Sequence, residues 1–151
     1  MFTTKPLSTL LLVAALGCPL GACHQDGAAD AKARVVALAP SYQPKLAELG
    51  TTIKGLTVRA AAIPTDVPGA VAVRESVFEL NHALRSLNIY LAEVPSDVEA
   101  ASKSGKDAGF TSLEGQIRAY MDSGIAELTA GLPIAAAALA ALEKAAVPVP
   151  G

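Results

Sequence analysis

The chain has no tryptophan, and only three phenylalanines and three tyrosines in 151 residues. That leaves too few flat rings for a base-stacking surface. Charge is scarce as well: 12 Lys and Arg stand against 14 Asp and Glu, with no basic block to neutralise phosphates, so no nucleic-acid partner is expected. The cysteines are Cys18 and Cys23 alone, and C-x-x-C-H, the signature of covalent haem attachment, is missing. No G-x-S-x-G elbow occurs, and "GKDAG" lacks the spacing of a phosphate loop. The expectation is a non-catalytic protein without cofactor or metal. What is abundant is Ala, Leu and Val. Ala loses no side-chain entropy in a helix and Leu little, which favours helices.

The first residues have the three parts of a secretory signal. Lys5 supplies positive charge, "LSTLLLVAALG" the apolar stretch, and "LGAC" a small-residue boundary before polar "HQDG". Pro19 and neighbouring glycines fall within what a membrane span needs as about 20 continuous apolar residues.

Leu20, Gly21, Ala22 and Cys23 resemble the lipobox of bacterial lipoproteins: an aliphatic residue, two small residues and the cysteine that carries lipid. The resemblance covers residues 1–23. It implies cleavage before Cys23 and acylation there, hence a domain on the periplasmic side of a membrane. Cys18, with Ala15 at the aliphatic position, fits less well and leaves with the signal. In the enterobacterial pattern an aspartate after the cysteine favours the inner membrane. His24 stands there instead, which tilts the expectation to the outer membrane. With no thiol pair left, no disulfide supports the fold.

The expected organisation is a signal peptide over 1–22, a lipidated cysteine and flexible tether over 23–33, a helical domain over 34–147 and a tail over 148–151. Within the domain, apolar residues recur at alternating steps of four and three, the spacing of one helix face. Tyr42, Leu46, Leu49, Ile53, Leu56, Ala60 and Ile63 form the first stripe. Val73, Val77, Leu80, Leu84, Leu87, Leu91 and Val94 form the second. Leu113, Ile117, Met121, Ile125, Leu128 and Leu132 form the third, extended by Leu139 and Leu142. Proline lacks an amide donor and clashes with the carbonyl four residues back, so Pro40 is expected to interrupt a short helix begun at Asp30. By the same reasoning Pro95 stops the second helix and Pro133 kinks or restarts the third. "PTDVPG" is a turn, Ser96 with Glu99 and Thr111 with Glu114 read as capping boxes, and "SKSGKDAG" as a loop. The predicted fold is all-α: a small three- or four-helix bundle, up-down and antiparallel.

Glu79 and His82 have the Glu-x-x-His spacing of di-metal bundles. The only other histidine, His24, lies in the tether, so the second pair such a site needs is absent. His82 reads as a surface residue and Met121 as core. Nearly opposite the leucine stripe of the second helix project Val71, Phe78 and Ile89, with His82 and Arg85 between them. This helix is apolar on two faces. One arrangement makes it central, its back covered by the segment around Val35 to Leu38 or by the alanine-rich C-terminal helix, and this is the expected one. The other leaves Val71, Phe78, His82, Arg85 and Ile89 as an exposed strip for another envelope protein. The functional expectation is a lipid-anchored binding or structural module. The alternatives are a periplasmic carrier of a small ligand or metal, and an inhibitor or immunity-type lipoprotein.

Overall fold

The computed structural model describes residues 22–104 and 107–146, with side chains over 27–103 and 108–146. The signal segment with Leu20 and Gly21, and the tail 148–151, lie outside these residues. The described chain forms three helices, α1 (Ala22–Ala62), α2 (Ala70–Ser104) and α3 (Asp107–Ala145), each packed against the other two. No strand occurs among the described residues.

The predicted stripes supply the core. Leu46, Leu49, Ile53, Leu56, Ala60 and Ile63 of α1 are buried, as are Val73, Val77, Leu87, Leu91 and Val94 of α2 and Leu113, Ile117, Met121 and Leu128 of α3. Leu84 is half-buried and packs at the edge of this core. Full burial of an aliphatic side chain contributes about 1.5–3 kcal/mol, so stripes of this length outweigh local irregularities. Two clusters divide the length of the bundle. One runs from Ala31 and Val35 to Met121 and Leu128. The other gathers Leu56, Ile63, Val73, Ala135 and Leu139, and Leu80 and Leu132 pack against both.

Cross-helix partners fix the directions. Arg34–Glu114, Tyr42–Asp122 and Arg59–Glu143 climb together, so α1 and α3 run the same way. Gly124 lies against Leu87 and Gly131 against Leu80, so α2 runs opposite to α3. The α1–α2 turn lies where "PTDVPG" predicted it. Gly69 adopts φ 90°, a conformation that a side chain disfavours, and Ala70 N–H donates to Val67 O at 3.0 Å.

The expected helix breaks are absent. Pro40 and Pro44 lie inside α1, Pro95 inside α2 and Pro133 inside α3. All four prolines are on exposed faces, where water can satisfy a carbonyl that loses its helical partner. Buried residues flank them on the inner face: Leu38 and Leu46, Val94 and Val98, Leu128 and Ala135. Packing on both sides therefore carries each helix through its proline, at a local cost of about 3 kcal/mol. The short helix around Val35 is accordingly the first part of α1, which reaches back to Ala22 and takes in residues 23–33, with Ala31 only 2% exposed. The connector after Pro95 likewise continues α2, where Glu99 pairs with Lys103 at 3.1 Å. Glu114 does not close a capping box at a helix start. It lies a full two turns into α3 and binds Arg34 at 3.0 Å and Arg118 at 3.0 Å, and these guanidinium groups hold its carboxyl below the usual range. Burial, together with donation to Asp122 at 2.8 Å, pushes the Tyr42 hydroxyl up to about 12.

Candidate functional site

The two-faced helix is not central. Val71 is 55% exposed, Phe78 66% and Ile89 49%, while His82 and Arg85 are also exposed, so the outer stripe of α2 meets solvent along its length. The reason lies in how the two proposed covers are used. Val35 and Leu38 pack into the cluster around Val94, Val98 and Phe110, at the far end of the core stripe. The alanine-rich end of α3 places Ala135 and Leu139 against Leu56, Ile63, Val73 and Val77, again on the core side. Three helices in mutual contact leave each one a solvent face, and α2 turns its second apolar stripe into that face.

The stripe has internal order. At 100° per residue Val71, Phe78, His82, Arg85 and Ile89 fall within an arc of about 60°. Glu75 completes the alternation of four and three steps between Val71 and Phe78, and it is exposed. Glu75 is absent from the five residues that the sequence analysis assigns to the stripe, and its step of four from Val71 is the signal that includes it. The Phe78 and His82 rings lie 6.5 Å apart between centroids, tilted by 33°, and form one continuous ridge.

Beside the ridge an open groove of about 300 Å³ runs between α1 and α2, floored by Val77 and Ala60, with Phe78 as its lip. Arg74 lines it but is not free for a ligand. Its guanidinium donates to the carbonyls of Ala60 (3.1 Å), Ala61 (3.2 Å) and Ile63 (2.5 Å), closing the C-terminal end of α1. Nothing in the sequence marks this role, because the carbonyls become neighbours only when the hairpin closes. Arg34 and Arg118 bind Glu114, and Arg59 binds Glu143 through two hydrogen bonds. Among the described residues Arg85 is thus the one arginine without an acceptor, and Glu75 forms no ion pair.

Met121 is fully enclosed and His82 is at the surface, on different helices and in different environments. No group of three or more His, Cys, Asp or Glu side chains that could hold a metal ion occurs among the described residues. Among the described residues α3 is long and apolar enough to cross a membrane by length and composition. Between Leu128 and Leu142 it carries no charged residue, and Ile134 is 72% exposed. Ala22 and Cys23 enter as the first backbone residues of α1. Compared with known proteins, the chain matches no family model, no curated protein and no solved structure.

Proposed function

We propose that the chain, after removal of a signal peptide, is a lipid-anchored up-down helical bundle on the periplasmic side of a bacterial membrane. Cys23 holds it there, in the outer membrane by the reading of His24. It works without catalysis, as a binding or structural module whose docking surface is the outer stripe of α2. The observation that carries the docking half is the exposure of Phe78 at 66% with Val71 and Ile89 beside it, since large side chains aligned on one solvent face are the surface that a partner desolvates. The lipobox-like Leu20 to Cys23 carries the location. Several acyl chains on one residue anchor far more firmly than the marginal binding of a single chain. The charge-free stretch of α3 between Leu128 and Leu142 suits a protein kept close to a bilayer.

Two experiments separate the halves. Lipid labelling should be lost in Cys23→Ser, which should accumulate as precursor, and kept in Cys18→Ser. Labelling that survives Cys23→Ser contradicts the anchor. A photo-crosslinking residue at His82 should form a discrete protein adduct in the intact envelope, whereas one at exposed Thr51 on α1 should not. Absence of any adduct from position 82 contradicts the docking surface.

A further inference from the structure

Read from either end, the outer stripe of α2 is complementary to itself. Its six residues are Val71, Glu75, Phe78, His82, Arg85 and Ile89. Laid antiparallel on a second copy, with a two-fold axis level with Leu80, they meet as Val71 with Ile89, Glu75 with Arg85 and Phe78 with His82, each pair occurring twice. Aliphatic meets aliphatic, acid meets base, and ring meets ring. Such reciprocal matching is what a two-fold, isologous interface requires. The steps of four and three also fit, since reversing one helix sets the residue that ends a four-step against the residue that begins one, and successive layers interlock along the seam.

From this we infer that the occupant of the stripe is a second copy of this chain, docked through an antiparallel α2–α2 contact. The inference rests on the reading of the stripe as a docking surface and names its partner. Charge carries it furthest. Arg85 is the one described arginine without an acceptor, Glu75 has no cation, and the register joins these two. Competing pairings are penalised. A parallel arrangement stacks Glu75 on Glu75 and Arg85 on Arg85. Sliding the antiparallel pair by one heptad sets His82 against Arg85, or Glu75 against Phe78.

The contact runs about 27 Å along one helix from each copy. It falls short of the about 800 Å² per partner of a standard interface, so the dissociation constant should be on the order of 100 μM. Confinement of both copies to one membrane raises their effective concentration and favours the dimer. The two Ala22 ends then point away from each other, so copies anchored in one bilayer pair while lying along it.

The test is sedimentation equilibrium of the full chain in a mild non-ionic detergent up to about 1 mM, with Glu75→Arg, Arg85→Glu, the double reversal, and an equal mixture of the two single variants. Both positions are exposed, so the variants should fold, with helical circular dichroism unchanged. By symmetry each single reversal turns two attractive pairs into two repulsive ones and should raise the dissociation constant roughly ten- to thirtyfold. The double reversal and the mixture should restore it to within about threefold, because each re-pairs opposite charges. A chain that stays monomeric to 1 mM overturns the inference, as does a dimer indifferent to single reversals or not rescued by mixing. If the chain is monomeric and position 82 crosslinks to a different protein, the docking surface survives and the second copy does not. If neither dimer nor adduct forms, both readings fall.

Discussion

Where α2 presses against α3, two glycines take the place of side chains, and the contact sets the rotation of α2 that turns Phe78 outward. A Cβ at Gly124 meets Leu87 Cδ2 at 2.6 Å, Cδ1 at 3.1 Å and Cγ at 3.2 Å. Leu87 is 3% exposed, and with its Cγ also in the way it cannot escape by turning one methyl. Gly124→Ala therefore adds a methyl to a filled space, at about 1–3 kcal/mol. Against that stands the general gain of about 1 kcal/mol when a glycine in a helix interior becomes alanine. The net effect should lie between neutral and about 2 kcal/mol destabilising. Gly55 and Gly115 offer the internal reference, since a Cβ at either finds nothing within 4 Å. Gly55→Ala and Gly115→Ala should each stabilise by up to about 1 kcal/mol. At Gly131 only Leu80 Cδ2 is close, at 2.8 Å, and Leu80 is half-buried and able to turn, so Gly131→Ala should fall between the two groups. The assay is urea denaturation of the four variants side by side. Combining Gly124→Ala with Leu87→Ala should cost less than the sum of the two changes, because the new methyl occupies space the leucine vacates. A Gly124→Ala variant as stabilised as Gly115→Ala would refute the close α2–α3 contact, and with it the orientation of α2.

Other consequences can be measured separately. Arg74→Ala should destabilise by about 1–3 kcal/mol by removing the guanidinium from the carbonyls of Ala60, Ala61 and Ile63, of which Ala60 O keeps the Ile63 N–H, while Arg85→Ala should leave stability of the monomer within about 0.5 kcal/mol. In an alkaline absorbance titration one tyrosine should ionise near pH 12, and that component should vanish in Tyr42→Phe. Because the folded value lies above the ordinary value of 10.0, the stability it carries is complete below pH 10 and is lost as pH rises through about 12. The sign is opposite for Glu114 and Glu143, whose folded values are lowered by Arg34, Arg118 and Arg59. Their contribution is present above the ordinary carboxylate range and fades as pH falls through the lowered values, which acid titration of Glu114→Gln should show as a smaller acid-induced loss.

Periodicity made the core legible. The three stripes name nearly every buried residue of the helices' central parts, because a side chain at steps of four and three can reach only one face. The breaks predicted at Pro40 and Pro95 did not occur. A proline's cost is local, whereas the burial that outweighs it comes from residues on other helices, such as Phe110 with Val98 and Val35. The candidate stripe was visible as a pattern: Val71, Phe78, His82, Arg85 and Ile89 stand opposite the leucines whatever surrounds them. Which of the two stripes is buried depends on where α1 and α3 lie, and that is decided by contacts such as Arg59–Glu143 between residues far apart in the chain. Arg74 and Glu75 were missed for related reasons, one acting on carbonyls across a turn and the other acquiring meaning only from the order of its stripe.

Of the two apolar stripes on α2, only one is core. Phe78→Ala and Leu87→Ala, unfolded in denaturant at concentrations well below the association range, test it most directly. Phe78 is 66% exposed at the lip of an open groove, so only about a third of its ring surface, roughly 70 Å², is withdrawn from water. At about 25 cal/mol per Å², less the better helix propensity of alanine, its loss should cost about 1 kcal/mol. Leu87, 3% exposed and boxed in by Gly124, should cost about 3–5 kcal/mol. A Phe78→Ala cost equal to that of Leu87→Ala would mean that the ring is buried, and the docking stripe would not exist.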